Sequence, residues 1–289
     1  MQKIIYFLSG QGAETIGLGK KLLEKFPESL NILKKTEEIW EEKLEEVITN
    51  ENNEIFDIKY SQPILCWYNY SLGLALKKKY EIKLQVPYSL GAFPAIALSE
   101  ILPYENILKI LKFNYNKVLE LNLKGKLLYV SGYHIKEAKK NLKNIYFSSI
   151  NHTLSYTIGG KEDDINKAYE FLKDKAFSLK MLPSAWAIHT PLLKEISLLL
   201  GKNERLWRNL KDGIIPIFNP LNLRIIINKE DGKSLLKFVI SKTMFFNSVC
   251  KRLKNKNEIF IEGSESHFFQ KIFKLHSRKI NVLEGINEI

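Results

Sequence analysis

The pattern of residues 126–183 is the feature that most constrains the fold of this 289-residue chain. Its apolar periodicity predicts strands over 126–131, 145–150, 155–159 and 177–182, and helices over 135–142 and 161–175. The resulting order, β-α-β-β-α-β, is typical of a ferredoxin-like unit. The two ends of such a unit lie close together, so it can be inserted into a larger domain. We therefore predict an inserted ferredoxin-like small domain over residues 126–183.

Residues 1–125 and 184–289 together predict one large domain. Strands are expected over 3–9, 83–88, 214–219, 223–228 and 258–263, with amphipathic helices between most of them. Such alternation is typical of a mostly parallel sheet with helices on both faces. The predicted fold class is therefore α/β, with an α/β-hydrolase-like large domain and the inserted small domain. Pro63 is expected in the first turn of a helix over 64–79, and a single helix is expected over 231–254.

Composition and charge narrow the class of protein. The hydrophobic content of 45% is that of a globular chain, and the formal net charge of +12 could reflect an acidic partner or nucleic acid. Basic residues are spread along the chain without interleaved aromatic residues, so we favour a solvated surface or an acidic protein partner over nucleic acid. The distant Cys66 and Cys250 predict buried thiols in a reducing cytoplasm. No apolar run is long enough for a secretory signal or a membrane span, and the cysteines and histidines lack metal-ligand spacing.

Ser89 lies in the sequence VPYSLGAF, residues 86–93, between a predicted strand and an alanine-rich helix. This arrangement is similar to a nucleophile elbow, in which a sharp turn lifts a serine above the sheet. Gly91 and Ala92 leave the space that the strand and the helix need for close approach. Pro87, however, stands where the usual signature has glycine. The pattern alone fits a structural serine as well as a nucleophile.

A serine nucleophile needs a base, and His189 is the best placed of the five histidines. It follows the inserted unit in PSAWAIHTPLL, residues 183–193, where a cleft between two domains would form. A buried structural histidine would also fit this position. The Gly-Gln-Gly sequence at 10–12 follows the first predicted strand and could aim backbone N–H groups into the same cleft. This loop lacks the spacing of a phosphate-binding motif.

The order of these motifs resembles the malonyl-CoA:acyl-carrier-protein transacylase family. FLSGQGAE (7–14) is similar to the family's Phe-Pro-Gly-Gln-Gly-Ser-Gln, YSQPIL (60–65) to its Tyr-Thr-Gln-Pro-Ala-Leu, and PYSLGAF (87–93) to its Gly-His-Ser-Leu-Gly-Glu-Tyr. SSINHTLSYTIGG (148–160) is similar to the asparagine-containing loop and strand of its small domain, and EIFIEGSES (258–266) to its Glu-Val-Gly-Pro-Gly segment. The resemblance covers about residues 3–275.

The resemblance implies a role for each of these motifs. Ser89 would carry the acyl group, and His189, oriented by main-chain carbonyls, would be its general base and acid. The backbone N–H groups of Gln11 and Leu90 would form the oxyanion hole, and Asn151 would lie on the small-domain loop. A thioester would acylate the serine, and a second thiol, normally on the phosphopantetheine arm of an acyl carrier protein, would attack the ester. Phosphopantetheine or CoA arrives on the substrate, so no bound cofactor is expected, and an acidic carrier protein would suit the positive charge.

The resemblance is incomplete where the family binds the malonyl carboxylate. Malonyl-handling members use an arginine on the helix that is predicted here over 105–121, and residues 1–204 contain no arginine. Our alignment places Phe113 at that position, although an error of one residue would leave room for a carboxylated substrate. The other residues that we predict to form an apolar acyl pocket are Tyr88, Trp186, Ile188 and Met244.

Three functions follow from these observations. The first is a Ser-His enzyme for non-carboxylated acyl thioesters, a transferase if a carrier thiol attacks and a hydrolase if water attacks. The hydrolase would resemble free-standing members of trans-acyltransferase polyketide pathways that lack the arginine and clear stalled acyl groups from carrier domains. The second is a conventional malonyl transacylase in which Lys112 or Lys117 replaces the arginine. The third is a catalytically degenerate protein that only binds carrier proteins.

Overall fold

The computed structural model describes residues 1–50, 53–183, 186–253, 258–276 and 282–289. Within these residues the strands form two separate sheets. The strands are β1 (Gln2–Leu8), β2 (Tyr80–Pro87), β3 (Lys126–Ser131), β4 (Tyr146–His152), β5 (Ser155–Gly160), β6 (Ser178–Met181), β7 (Ile217–Phe218), β8 (Ile225–Ile226), β9 (Ile259–Gly263) and β10 (Val282–Glu284).

Helices connect most of these strands, and short 3₁₀ turns precede or follow several of them. The α-helices are α1 (Lys20–Lys25), α2 (Glu28–Trp40), α3 (Leu44–Thr49), α4 (Ile58–Lys77), α5 (Ala92–Leu98), α6 (Tyr104–Glu120), α7 (Ile135–Asn141), α8 (Glu162–Leu172), α9 (Lys194–Lys202), α10 (Lys229–Phe238), α11 (Phe246–Arg252) and α12 (Phe268–Leu275).

The larger sheet has the strand order β10-β9-β1-β2-β7-β8. Its strands pair in parallel from β10 to β7, and β8 pairs antiparallel with β7. Residues 4–8 of the central strand β1 are fully buried because helices cover both faces. Tyr6 packs into the core on one face with residues of α4 and α5, whereas Phe7 packs against residues of α11 and α12 on the other. The predicted α/β class with a mostly parallel sheet is confirmed.

The smaller sheet is antiparallel, with the strand order β4-β5-β3-β6. Helices α7 and α8 pack against it through a separate apolar core that includes Leu128, Tyr156, Ile165 and Leu172. The chain order of these elements is β-α-β-β-α-β, over residues 126–181. This unit occupies the segment for which the sequence predicts the inserted small domain.

The predicted position of Pro63 in a first helical turn is wrong, because α4 begins at Ile58 and contains the proline inside. Asp57 caps this earlier start, and its carboxylate accepts a hydrogen bond from the backbone N–H of Lys59 at 2.8 Å. A proline inside a helix removes the hydrogen bond to the carbonyl four residues earlier. Here that carbonyl belongs to Lys59, and it accepts a hydrogen bond from the indole N–H of Trp40 at 2.7 Å instead.

The single helix predicted over 231–254 is also wrong, because α10 and α11 are separated by residues 239–245. Backbone groups of this connection bind other parts of the chain rather than a helical ladder. The carbonyl of Ile240 accepts a hydrogen bond from the His189 N–H, and Met244 forms an isolated parallel bridge with Ser149 of β4. Tertiary hydrogen bonds therefore override the local helical periodicity. The strands predicted over 214–219 and 223–228 shorten to the two residues each of β7 and β8.

Candidate active site

Ser89 lies on the tight turn between β2 and α5, at the carboxyl end of a central parallel strand. Its φ of +52° is in the left-handed region, a conformation that is uncommon for residues other than glycine. Gly91 is required in this turn because a Cβ atom there would lie 2.2 Å from the carbonyl oxygen of Leu8. The geometry is that of a nucleophile elbow. Pro87 does not disturb it, since the N–H that donates to Leu8 belongs to Tyr88.

The loop after β1 packs directly against this elbow. A Cβ atom on Gly10 would lie 2.6 Å from the carbonyl oxygen of Tyr88 and 2.9 Å from the Cβ of Ser89. Only glycine permits this approach. The neighbouring residue, Gln11, lines the same cavity as Ser89 and Leu90, which brings together the three residues that the sequence predicts for the nucleophile and the oxyanion hole.

The side chains of Ser89 and His189 meet although a hundred residues separate them in sequence. Ser89 Oγ lies 2.7 Å from His189 Nε2, and both residues are buried. His189 Nδ1 donates to the carbonyl oxygen of Val239, and its backbone N–H donates to the carbonyl of Ile240 at 2.6 Å. A carbonyl can only accept, so the ring proton lies on Nδ1 and Nε2 is left to accept the serine proton. The main chain thus orients the imidazole.

Burial lowers the pKa of His189 to about 4, while the hydrogen bond to Val239 opposes this shift. The direction follows from the cost of placing a charged imidazolium in an apolar environment. The imidazole is therefore uncharged at neutral pH. An uncharged imidazole with a free lone pair on Nε2 can act as a general base toward the serine hydroxyl.

Ser89 and His189 open into a small cavity of about 40 Å³, which we call the Ser89 cavity. Most of its wall is apolar. The apolar lining residues are Leu90, Phe93, Leu111, Val118, Trp186, Ile188, Leu193, Val239 and Ile240. The remaining lining residues are polar but uncharged amides, at Gln11, Gln62 and Asn114. Among the described residues, no lysine, arginine, aspartate or glutamate lines the Ser89 cavity.

The prediction that Phe113 lines the acyl pocket is wrong, and Asn114 lies there instead. Leu111, Asn114 and Val118 follow the three- and four-residue spacing of one helical face of α6. Phe113 is one residue, or about 100°, away from that face and packs against the main core. An alignment error of one residue thus explains the difference. The spacing of Leu111 and Val118 was the signal in the sequence that could have identified Asn114.

The two lysines considered as substitutes for the family's arginine both lie outside the Ser89 cavity. The ammonium group of Lys112 donates to the carbonyl of Ile39 at 3.0 Å and pairs with the carboxylate of Glu41 at 2.9 Å. The ammonium group of Lys117 pairs with Glu120, one helical turn further along. These contacts hold both cations on the outer faces of α6.

Tyr88 and Met244 were predicted to line the acyl pocket, and this is also wrong. The Tyr88 hydroxyl donates to Ser149 Oγ at 3.2 Å and to Asn151 Oδ1 at 3.3 Å, so the ring points towards the small sheet. Met244 is fully buried, and its backbone N–H and carbonyl bond to the β4 backbone on either side of Ser149. Asn151 lies within strand β4 rather than on the predicted loop. Together these residues join the elbow to the small sheet.

Trp186 and Ile188, which the sequence predicts for the acyl pocket, line the Ser89 cavity, and their role in binding the acyl group stays a prediction. Gln62 of the YSQPIL motif, for which the sequence predicts no role in the site, lines it as well. Cys66 and Cys250 are both buried, as predicted.

No helix in the described parts of the chain is long and apolar enough to cross a membrane. The same residues contain no group of three or more histidine, cysteine, aspartate or glutamate side chains arranged for a metal ion.

The fold is that of the malonyl-CoA:acyl-carrier-protein transacylases. The crystal structure of the transacylase from Helicobacter pylori matches with a TM-score of 0.88 and 20% identity, over 100% of this chain and 97% of that one. A malonyl transacylase solved in complex with AntF, a type II polyketide synthase acyl carrier protein, matches with a TM-score of 0.83 and 15% identity, over 95% and 92%. No protein-family model matches the chain.

Two curated relatives from Bacillus subtilis give the sequence comparison. The malonyl CoA-acyl carrier protein transacylase is 21% identical over 300 residues, covering 98% of this chain and 93% of the relative. The polyketide biosynthesis acyltransferase homolog PksD is 26% identical over 206 residues, covering 66% and 63%. The homologues and structural neighbours of this chain are thus malonyl-CoA:acyl-carrier-protein transacylases, together with a polyketide acyltransferase homologue. The resemblance predicted from the motifs is confirmed.

Proposed function

We propose that this protein is an acyltransferase-type enzyme that acts on acyl thioesters of acyl carrier protein through an ester on Ser89. The observation that carries the proposal is the 2.7 Å contact between Ser89 Oγ and His189 Nε2 on a left-handed elbow beside a buried cavity. The relatives support it, since they are named as transacylases of acyl carrier protein.

In the first half of the proposed reaction, His189 Nε2 takes the proton of Ser89 as Oγ attacks the thioester carbonyl carbon. The carbonyl oxygen becomes negatively charged, and the backbone N–H groups of Gln11 and Leu90 donate to it. The C–S bond then breaks, and His189 returns the proton to the departing thiolate. The products are an acyl ester on Ser89 and the free thiol of CoA or phosphopantetheine, which arrives on the substrate.

In the second half, His189 removes a proton from the incoming nucleophile, which attacks the ester carbonyl carbon. A carrier thiol yields a new acyl thioester, whereas water yields a free acid. In both cases the proton returns from His189 to Ser89 Oγ as the ester bond breaks. The same site is therefore compatible with transfer and with the hydrolytic removal of stalled acyl groups, and the proposal includes both outcomes.

We propose that the acyl group is not carboxylated. The described lining of the Ser89 cavity has no cation that could pair with a bound carboxylate. Burying a carboxylate without a cation costs several kcal/mol, because the lost hydration is not replaced. The relatives named for malonyl therefore share the fold with this chain, while the wall of its cavity favours an uncharged group.

The net charge of +12 supports an acidic carrier protein as the partner. Opposite charges steer two proteins together, so the association rate should fall as salt rises. The buried Cys66 and Cys250 support the proposed location in a reducing cytoplasm.

Intact-protein mass spectrometry after incubation with acetyl-, butyryl- and malonyl-carrier protein tests the function. We expect wild type, but not Ser89→Ala, to gain the mass of the uncharged acyl groups. The subsequent appearance of free acid or of a newly acylated carrier distinguishes hydrolysis from transfer. Preferential acylation by malonyl would contradict the substrate assignment. The absence of any Ser89-dependent adduct would contradict the enzymatic function and favour a protein that only binds carriers.

A further inference from the structure

Two buried amide side chains line the Ser89 cavity with unused hydrogen-bonding atoms. Asn114 is 5% exposed, and neither Oδ1 nor Nδ2 has a partner among the described residues. Gln62 is 7% exposed, and its Oε1 has no partner among them either. Other buried polar atoms of the described chain also lack a partner, but these two residues are the ones that line the Ser89 cavity.

A third buried amide, that of Asn69, is hydrogen-bonded within the protein and therefore has a structural role. Asn69 on α4 is fully buried, and its Oδ1 accepts from the Ser9 N–H at 3.0 Å while its Nδ2 donates to the Leu65 carbonyl at 2.8 Å. Buried amides are hydrogen-bonded in this way in most proteins. Asn114 and Gln62 therefore have bonding capacity that a ligand in the Ser89 cavity can use.

We propose that the acyl group taken up by Ser89 carries an uncharged hydroxyl on its second or third carbon, bound by Asn114 and Gln62. This inference rests on the proposed function. A hydroxyl can bond to both amides, because it donates one hydrogen bond, to Gln62 Oε1, and accepts another, from Asn114 Nδ2, which leaves only Asn114 Oδ1 without a partner. A ketone oxygen can only accept, so it leaves Gln62 Oε1 unpaired. A plain alkyl group leaves both amides unpaired.

The size of the Ser89 cavity places the hydroxyl close to the reacting carbonyl. A volume of about 40 Å³ holds a group of a few heavy atoms. Such a volume favours a short acyl group, whose hydroxyl on the second or third carbon is near the ester carbon. The apolar lining then surrounds the remaining carbon atoms. We therefore take a short 3-hydroxyacyl thioester as the probe of this assignment.

The test compares 3-hydroxybutyryl-, acetoacetyl-, butyryl- and malonyl-carrier protein on the full-length protein, with kcat/KM for formation of acyl-Ser89 as the measurement. We expect 3-hydroxybutyryl to exceed butyryl by at least about tenfold, since a site built to bond a hydroxyl discriminates strongly against the analogue that lacks it. Acetoacetyl should fall between them. Malonyl should be slowest.

Two variants test whether Asn114 is responsible for the preference for 3-hydroxybutyryl over butyryl. Asn114→Leu removes the amide at similar volume and should lower the ratio of 3-hydroxybutyryl to butyryl about tenfold, to near one. Phe113→Leu changes the adjacent residue of the same helix, outside the Ser89 cavity, and should leave the ratio as in wild type. A ratio of two substrates on one sample does not depend on how much of the variant is folded.

Two results would overturn the inference while leaving the proposed function in place: butyryl at least as fast as 3-hydroxybutyryl, or an unchanged ratio in Asn114→Leu. Malonyl as the fastest substrate would overturn both this inference and the assignment of an uncharged acyl group, although the acyltransferase-type chemistry would stand. Each of them still includes Ser89-dependent acylation. If none of the four thioesters acylates wild type at Ser89, the proposed function itself fails, and this inference fails with it. The two failures are therefore distinguishable.

Discussion

Two walls of the Ser89 cavity differ in whether their polar atoms are hydrogen-bonded within the protein. On the Ser89–His189 wall, the imidazole has both nitrogens bonded within the protein, to Ser89 Oγ and the Val239 carbonyl. On the α6 wall, the amide of Asn114 has no partner among the described residues. The hydrogen bonds of the His189 imidazole are formed without a substrate, whereas the amide of Asn114 can still form hydrogen bonds with a ligand. Under the proposed function, this difference predicts that the chemical step and the choice of acyl group depend on separate residues.

If the two walls act independently, replacing His189 should lower kcat/KM by a similar factor for every uncharged acyl thioester. His189→Ala should lower kcat/KM about 10²–10⁴-fold for uncharged acyl groups of any kind, because general-base catalysis contributes about that factor. His134→Ala is the matched control, since this partly buried histidine caps α7 outside the Ser89 cavity and should retain wild-type rates. A loss confined to one acyl group would contradict the separation of the walls.

A new cation on the α6 wall should change the preference among acyl groups without changing the role of His189 as the base. Asn114→Arg should raise the ratio of malonyl to butyryl acylation by about one to two orders of magnitude, because a guanidinium binds a carboxylate bidentately. Phe113→Arg, one residue away, should leave this ratio unchanged because Phe113 lies outside the Ser89 cavity. The opposite outcome, with Phe113→Arg effective and Asn114→Arg not, would restore the alignment that the sequence suggested.

The pH dependence sharpens the account of the Ser89–His189 wall. His189 is active as a base only when deprotonated, and burial lowers its pKa to about 4. We therefore expect kcat/KM for acylation to stay level as pH falls from 7 to 5, and to decline as pH falls through about 4. An unshifted histidine would lose half of this activity near pH 6.5, about two and a half pH units higher. Stopped-flow acylation, checked by circular dichroism for an intact fold at each pH, measures the difference.

The smallest effect is expected at the residue next to the nucleophile. Tyr88→Phe removes the hydroxyl that donates to Ser149 and Asn151, and should lower the free energy of unfolding by about 1 kcal/mol. Acyl preference should not change, because the Tyr88 ring lies outside the Ser89 cavity. Urea unfolding and the butyryl to 3-hydroxybutyryl ratio measure the two quantities. A shifted ratio would place Tyr88 in the pocket after all.

The sequence predicted best where the backbone itself limits the choice of residue. The apolar run of β1 predicts a strand buried on both faces, and Gly91 predicts the close approach of elbow and strand. The motif order was sufficient to bring Ser89 and His189 to one site. Their catalytic roles, and the boundaries of the small domain, stay predictions.

The errors arose where packing between distant segments decides the outcome. Phe113 and Asn114 differ by one step along α6, and the orientation of that helix against the rest of the protein decides which one meets the Ser89 cavity. Pro63 could lie inside α4 because the indole of Trp40 takes the carbonyl that the proline leaves unbonded. The break after α10 exists because its backbone groups bind His189 and β4. Local periodicity contains none of these contacts.

The connection between the elbow and β4 limits how this protein can be recombined with its relatives. Tyr88 bonds to Ser149 and Asn151 of the small sheet, and the backbone of Met244 bonds to the same strand. A chimera that exchanges residues 126–183 alone would therefore place a foreign strand against native residues 88 and 244. Exchanging residue 88 together with the insert would preserve the pairing of its side chain with residues 149 and 151, and the residue beside the nucleophile would keep its support.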